Sequence, residues 1–331
     1  MTIPGFFDLQ VNGYKGIDFS SPELTKEEFI FACRALLKQG TAGFLPTIIT
    51  SRVSTFKRNL RLMASAMQDE DLDRALPGIH VEGPFISMEE GARGAHNASW
   101  VQPPDIGLLE DLYRWSDGFI QLLTMAADTE GAAALCRHAT EKLGLTVSLG
   151  HHLATEEDLE QMAAAGARSL THLGNGIPRL LPRHRNPLWA GIANDDLTAM
   201  IIADGHHLPR SLIKTIIRTK GVSKTIAVSD ASPIAGLPPG RYNTLGNDVI
   251  LEESGRLYNP ETGYLVGSSS SLLDCMNYLL SLDLLTLEEL YDIGFNNPLQ
   301  LIDIDPASFR GADTHIEYDE DKNEFFLVDE Q

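Results

Sequence analysis

Eight short apolar runs recur along the chain, and most of them end in a polar or glycine-rich stretch. These runs are GFFDLQVNG (5–13), TAGFLPTII (41–49), LPGIHVEGP (76–84), FIQLLTMAAD (119–128), LTVSLGHH (145–152), RSLTHLGN (168–175), TAMIIADGHH (198–207) and KTIAVSDAS (224–232). Amphipathic segments separate most of them, and strands that alternate with helices predict parallel pairing through right-handed crossovers. Eight such units favour a closed (β/α)8 barrel of the TIM type, with an open doubly wound sheet as the alternative.

Capping signals mark where several of the intervening helices begin and end. The segment 21–40 opens on Ser21 with an acidic first turn and closes on Gly40, so we expect a helix across it. The segments 129–144 and 155–167 follow the same pattern. These helices would connect successive strands of the barrel.

The alternation of strands and helices is interrupted between residues 241 and 266. Turn-forming pairs in this segment, Ser254-Gly255 and Asn259-Pro260, predict a small β-rich insertion after the eighth strand. Two further helices, over 271–282 and 286–302, would then complete the barrel.

Length and composition exclude several classes of protein. The 331 residues, 43% of them hydrophobic, suffice for one barrel-sized core. A net charge of −20 disfavours nucleic acid and anionic membranes as partners. The cysteines (Cys33, Cys136 and Cys275) form no CxxC pair, and no signal peptide or membrane-length apolar run is visible. We expect a single cytoplasmic domain over residues 1–331, with residues 306–331 as a tail that forms a hairpin around an acidic turn.

Groups of the metal-ligand type follow several of the predicted strands. They are Glu82, His151, His152, His172, Asp204, His206, His207 and Asp230. Taken singly, such a histidine is more often a surface or capping residue, and Asp230 could simply cap the next helix. In a (β/α)8 barrel, however, the active site forms at the carboxyl ends of the strands. Five strand ends that bring such groups to one rim therefore predict a functional site.

One carboxylate and two neutral imidazoles can hold a divalent ion of the zinc type and leave a position open. A neighbouring aspartate can accept the proton of an attacking water and pass it to a leaving amine. This combination suits amide hydrolysis. The sequence contains neither a GxSxG nucleophile elbow nor a GxxxxGK[ST] phosphate loop.

Seven motifs occur in one order along the chain: PGFFDLQVNG, HVEGPFIS, GAHN, LGHH, THLGN, IADGHH and VSDASPIAG. Their order and spacing resemble those of N-acetylglucosamine-6-phosphate deacetylases, enzymes of the amidohydrolase superfamily. The resemblance covers about residues 4–275, and the combination of HVEGP, GAHN and IADGHH is far more specific than any one motif. It implies metal-dependent hydrolysis of N-acetylglucosamine 6-phosphate to glucosamine 6-phosphate and acetate.

The resemblance assigns catalytic roles residue by residue. Glu82, His151 and His172 match the metal ligands of the family. Asp230 matches the catalytic base and acid, and His96 of GAHN matches the histidine that helps to polarise the acetyl carbonyl.

The same resemblance implies a subsite for the sugar phosphate. Asn175 and Gly176 would contact it through backbone groups, and His207 matches a substrate-binding histidine. In this family an arginine after THLGN reaches the site of the neighbouring subunit, which implies a homodimer. Arg185 is the first choice for that arginine and Arg183 the second.

The first strand carries Gln10 and Asn12 where some members of the family have two histidines for a second metal. A side-chain amide oxygen is a weak ligand for such metals. We therefore expect one divalent ion per chain, zinc being the first choice and iron or cobalt the alternatives. Gln10 and Asn12 would orient the groups that contact the metal or the substrate.

Departures from the family pattern leave the substrate open. The usual β-sandwich is missing or vestigial, Gly176 replaces an alanine, His152 replaces a small polar residue, and His206 adds an imidazole beside His207. The alternatives are an amidohydrolase for another N-acyl or cyclic amide, and a non-catalytic paralogue that binds a sugar phosphate.

Overall fold

A computed structural model describes residues 2–69 and 72–328 of the chain. Eight parallel strands form its main sheet. They are Phe6–Val11 (β1), Thr41–Ile49 (β2), Ile79–Glu82 (β3), Ile120–Met125 (β4), Thr146–Leu149 (β5), Ala167–Leu170 (β6), Thr198–Ile202 (β7) and Thr225–Val228 (β8).

The strands pair in sequence order, each parallel to the next, from β1 to β8. The last strand then meets the first, because Val11 forms a parallel bridge with Ala231 and the Asn12 N–H donates to the Ala231 carbonyl at 2.8 Å. A doubly wound sheet reverses its strand order and leaves two open edges. The observed order and closure exclude that alternative and confirm the predicted (β/α)8 barrel.

Helices connect the strands and follow the last of them. They are Lys26–Leu37 (α1), Val53–Ala66 (α2), Ile106–Trp115 (α3), Ala132–Leu143 (α4), Glu156–Ala164 (α5), Pro187–Ala193 (α6), Arg210–Lys220 (α7), Leu272–Ser281 (α8), Leu287–Tyr291 (α9) and Asn297–Leu301 (α10). A π-helical segment, Asp292–Asn296, joins α9 to α10.

The start of α1 differs from the sequence prediction. The helix begins at Lys26 rather than near Ser21, because Thr25 and Glu28 form a reciprocal capping box. This box satisfies two backbone N–H groups at once, which Ser21 cannot do because the residue three positions later is the apolar Leu24.

Apolar side chains pack inside the barrel. Phe7 and Leu9 of β1, Met200 of β7 and Val228 of β8 belong to one buried cluster with residues of the C-terminal helical segment, including Phe295. The polar residues of the predicted site lie at or just after the carboxyl ends of the strands.

The predicted β-rich insertion is a three-stranded antiparallel sheet. Its strands are Gly240–Thr244 (β9), Asn247–Leu251 (β10) and Leu257–Tyr258 (β11). Val249 and Leu257 pack into a small buried cluster of their own beneath this sheet.

The two ends of the described chain meet in a second three-stranded sheet. Ile316–Asp319 (β12) and Glu324–Leu327 (β13) form the expected tail hairpin, and Thr2–Ile3 pairs antiparallel with β12. The resemblance predicts that the family's β-sandwich is missing or vestigial, and this small sheet is formed by the two ends of the described chain. Residues 329–331 of the predicted tail lie outside the described residues.

Cys33, Cys136 and Cys275 are buried free thiols. Among the described helices, none combines the length and the apolar character that a bilayer span requires.

Candidate metal and catalytic site

One carboxylate and two imidazoles converge at the carboxyl end of the barrel. Glu82 is the last residue of β3, and His151 and His172 follow β5 and β6. The Glu82 Oε1 atom lies 3.1 Å from His151 Nε2 and 3.0 Å from His172 Nε2. The two Nε2 atoms are 3.1 Å apart, and all three side chains are buried.

This geometry fits a single metal ion. Ligand atoms held at about 2.0–2.2 Å from zinc at tetrahedral angles lie about 3.4 Å from one another. The observed separations of 3.0 to 3.1 Å are close to that value. His151 Nδ1 lies 2.9 Å from the Ala92 carbonyl oxygen, to which it donates, so Nε2 presents its lone pair to the centre of the group.

The carboxylate of this group is ionised. Burial alone would raise the pKa of Glu82, but the neighbouring imidazoles of His151 and His172 outweigh it and lower the pKa well below its usual range. A buried carboxylate needs such partners, because an isolated charge in an apolar interior is very unfavourable.

His96 approaches the same point from the loop between β3 and α3. Its Nε2 lies 4.0 Å from Glu82 Oε2, and it forms with Glu82 and His151 a group whose donor atoms all lie within 4.8 Å. Its Nδ1 lies 2.8 Å from Thr50 Oγ1. Burial lowers the pKa of His96 to about 3, and the neighbouring His151 adds to the shift. His96 is therefore neutral at neutral pH, and in the tautomer that carries the proton on Nε2 it can donate to a carbonyl oxygen in the cavity.

Asp230 follows β8 and faces the same space. Asn12 Nδ2 donates to its Oδ1 at 2.7 Å. Burial raises the pKa of Asp230 to about 6, and the charge of Glu82 adds to the rise. The next described α-helix after β8 begins only at Leu272, so the helix-capping explanation for Asp230 is wrong.

A β-bulge in the first strand turns Gln10 toward the site. Between Asp8 and Val11, β1 has one residue more than the part of β2 that it pairs with. Leu9 packs in the barrel interior, and Gln10 directly after it also points inward and donates from Nε2 to Glu82 Oε1 at 3.0 Å. A carboxylate can only accept hydrogen bonds, so the amide must present its nitrogen to Glu82.

Three residues of the site adopt left-handed backbone conformations: His151 (φ 52°), His172 (φ 31°) and Asp230 (φ 51°). Such conformations are unfavourable by about 1–3 kcal/mol each and cluster at functional sites. Gly176 has φ 61°, and a Cβ there would lie 2.9 Å from His151 Nδ1. A side chain at this position would therefore have to displace the ring of His151.

His207 is held by an aspartate that the sequence analysis left without a role. His207 Nδ1 lies 2.8 Å from Asp204 Oδ2, and Asp204 also accepts from Ser268 Oγ at 2.8 Å and from the backbone N–H groups of His206 and His207. Burial would raise the pKa of Asp204, but these hydrogen bonds and the charge of His207 lower it well below its usual range. Asp204 thereby fixes the orientation of the His207 ring.

A cavity of about 530 Å³ opens above these groups. Its lining includes Asn12, Glu82, His96, His151, His172, Asn175, Gly176, Arg179, His206, His207, Asp230 and Arg256. Such a volume accommodates a small molecule with a few polar groups.

Curated relatives cover most of the chain. An N-acetylglucosamine-6-phosphate deacetylase of zebrafish, Danio rerio, is 31% identical over 314 residues, which are 91% of this chain and 75% of the relative. The chain belongs to the N-acetylglucosamine-6-phosphate deacetylase family. The Bacillus subtilis deacetylase of the same name is 30% identical over 269 residues, and these span 80% of this chain and 66% of that protein. An N-acetylgalactosamine-6-phosphate deacetylase of Escherichia coli O157:H7 is 27% identical over 305 residues, or 91% of this chain and 78% of its own length. The resemblance inferred from the motifs is thus confirmed.

Solved deacetylase structures have the same fold. The N-acetylglucosamine-6-phosphate deacetylase of Pasteurella multocida superposes with a TM-score of 0.86 at 25% identity and covers 99% of this chain and 84% of its own. A mutant of the Mycobacterium smegmatis enzyme, in complex with N-acetyl-D-glucosamine-6-phosphate, gives a TM-score of 0.88 at 22% identity, with 99% and 85% covered. A search against protein-family models gives no match.

Most residues that the deacetylase motifs single out come together around this cavity. Arg183 and Arg185 are exposed and lie outside the lining. Gln10 and His152 are buried outside it: Gln10 donates to Glu82, and His152 Nδ1 accepts from the Ala154 N–H at 3.1 Å. The motifs do not indicate the contact of Thr50 with His96, the contact of Asp204 with His207 or the position of Arg256 in the lining. Asp204 had a signal, since it precedes the two histidines of IADGHH, but Thr50 and Arg256 lie in segments without a motif.

Proposed function

We propose that this chain hydrolyses the N-acetyl amide of an amino sugar, with N-acetylglucosamine 6-phosphate as the preferred substrate. One observation supports this most directly: Glu82, His151 and His172 meet within 3.1 Å at the mouth of the barrel, in a family named for this reaction. Asp230, held by Asn12, lies at the same mouth and supplies the acid–base group that amide hydrolysis needs.

Each residue has a defined task in the proposed reaction. Glu82, His151 and His172 would hold a divalent ion, which would supply Lewis-acid chemistry: it would lower the pKa of water and polarise a carbonyl. Asp230 takes the proton of the attacking water and returns it to the leaving nitrogen, so that the products are a free amine and acetate. His96 donates from Nε2 to the carbonyl oxygen of the substrate as that oxygen gains charge.

We infer one metal ion per chain, with zinc as the first choice. Gln10 and Asn12 support this, because both amides donate to carboxylates and so occupy the places that a second set of ligands would need. Metal analysis of protein purified without added metal should give one equivalent of a divalent ion. Two full equivalents, both required for turnover, would contradict this interpretation of the first strand.

The phosphate preference rests on His207 and on the backbone at Asn175 and Gly176, which line the cavity. Acetate release should be measured with N-acetylglucosamine and N-acetylgalactosamine, each with and without 6-phosphate, since one relative is named for the galactosamine epimer. We expect kcat/KM to be about 10²–10⁴-fold higher with the phosphate, because two charge-assisted hydrogen bonds contribute about 1.5–3 kcal/mol each. Equal rates on phosphorylated and plain sugar would remove the phosphate from the proposal.

We further propose a homodimer in which Arg185, or Arg183, reaches the partner's site. Both arginines are exposed in a loop near the cavity mouth, and Leu180 of the same loop is 92% exposed. Mixing Arg185→Ala subunits with Asp230→Asn subunits should restore part of the activity, because one hybrid site then contains both residues. Verified heterodimers without any recovery would count against sharing.

We place the enzyme in the cytoplasm, because Cys33, Cys136 and Cys275 are free thiols of the kind common in a reducing compartment. Hydrolysis of another N-acyl or cyclic amide remains the alternative within enzymes, and the non-catalytic paralogue is the alternative outside them. The first alternative predicts turnover of other amides but of none of the four N-acetyl amino sugars. The second predicts binding of the sugar phosphate without release of acetate.

A further inference from the structure

Two arginines of this chain lie in the wall of the cavity. Among the described residues that line it, Arg179 and Arg256 are the permanently charged cations. A phosphate dianion that enters a protein of net charge −20, past Glu82 and Asp230, needs cationic donors in the cavity itself. These two side chains are placed to supply them.

Each of the two guanidinium groups is stacked on a tyrosine of the insertion. Arg179 Cζ lies 4.5 Å from the ring centroid of Tyr264, and Arg256 Cζ lies 4.1 Å from that of Tyr258. Stacking fixes the plane of a guanidinium but leaves its edge N–H groups free to bind an oxyanion bidentately. Both arginines are thus partly ordered before a ligand arrives.

The competing interaction of Arg256 is weak. Its Nη1 atom lies 3.7 Å from Glu252 Oε1, and both side chains are 39% exposed. Exposed ion pairs of this kind contribute little to stability, so a phosphate can displace Glu252 from the guanidinium.

His206 holds the turn from which Arg256 extends. His206 Nε2 lies 3.0 Å from the Ser254 carbonyl oxygen, and Ser269 Oγ donates to the Gly255 carbonyl at 2.6 Å. These contacts tie the turn between β10 and β11 to the loop after β7 and to the segment before α8. This contact explains the additional histidine of IADGHH, because His206 anchors the turn that carries Arg256.

We propose that Arg179 and Arg256 clamp the 6-phosphate from within the same chain, and that His206 is the positioning residue for Arg256. This inference rests on the proposed function and deepens it. It adds to the arginine expected from the partner subunit two donors that belong to this chain's own site.

Binding of the products separates this clamp from the reaction itself. Calorimetry gives the Kd for glucosamine and the Kd for glucosamine 6-phosphate. The first divided by the second is the Kd ratio, and it does not depend on turnover. We expect the wild type to favour the phosphate, and Arg179→Ala and Arg256→Ala each to reduce the ratio by at least about tenfold. Arg241→Ala, an exposed arginine on β9 outside the cavity, is the control and should leave the ratio unchanged.

His206 needs a test that a general loss of structure would not reproduce. His206→Ala should reduce the Kd ratio, whereas His206→Gln, whose Nε2 can also donate to the Ser254 carbonyl, should restore it. Arg256→Lys, which keeps the charge but not the fork, should fall between wild type and Arg256→Ala. The clamp is overturned if Arg179→Ala and Arg256→Ala, both with wild-type thermal unfolding, keep the wild-type ratio. Failure of the proposed function would appear separately, as absence of acetate release.

Discussion

Asp230→Asn is expected to lower kcat by about 10²–10⁴-fold or more while leaving the bound metal in place. An amide cannot accept the proton of the attacking water, and Asp230 would serve in both proton transfers. The substitution keeps the size of the side chain, and Asn12 can still donate to its oxygen. Metal content, thermal unfolding and kcat should be measured on the same preparation.

The pH dependence gives an independent check on Asp230. The base must be ionised, so the rate should fall as the pH drops through the pKa of this carboxyl. Burial raises that pKa to about 6 in the protein without metal, and a neighbouring cation would lower it. The acid limb of the pH profile of kcat/KM should therefore lie at or below about pH 6 in the wild type.

A normal kcat in Asp230→Asn, together with reduced stability, would assign Asp230 a purely structural role.

Glu82→Gln is expected to abolish both metal binding and turnover. Glu82 Oε1 lies within 3.1 Å of His151 Nε2 and His172 Nε2 and accepts from Gln10, so the change removes the one negative charge that all three groups face. Loss of an outer hydrogen-bond partner reduces metal affinity by about 10–100-fold, and loss of a ligand should exceed that range.

Two further variants give metal affinities with which that of Glu82→Gln can be compared. Gln10→Ala should weaken the metal by about 10–100-fold through loss of its hydrogen bond to Glu82. Asp128→Asn is the matched control, because Asp128 lies after β4 outside the cavity and accepts only from the Leu153 N–H at 2.9 Å among its described hydrogen bonds. Titration with zinc would show a full equivalent in Asp128→Asn. A tight equivalent in Glu82→Gln as well would contradict the assignment of this ligand.

Sequence patterning predicted the barrel because its information is local. Each of the eight apolar runs overlaps one observed strand of the barrel, and each strand end then fixes which residues reach the rim. Glu82, His151, His172 and Asp230 could be grouped for that reason, without any knowledge of distances. The start of α1 was missed because Ser21 and Thr25 are both acceptable caps, and only the capping box with Glu28 decides between them.

Other features depend on contacts that sequence spacing does not encode. The inward turn of Gln10 results from a bulge set by pairing with β2. Thr50 reaches His96 across 46 positions, and the turn that carries Arg256 is fixed by a hydrogen bond between His206 and Ser254, 48 positions apart. Arg179 lines this chain's own cavity, a position that the motifs do not indicate.

Release of acetate by metal-free and metal-restored protein tests the central claim most directly. Purified protein should be stripped with a chelator, assayed with N-acetylglucosamine 6-phosphate, and assayed again after one equivalent of zinc, iron or cobalt is added. We predict no acetate from the stripped protein. Restored protein should release acetate and free amine in equal amounts, with full activity at one equivalent of the native metal. Undiminished turnover by verified metal-free protein, or no acetate from protein restored with any of the three metals, would contradict the account.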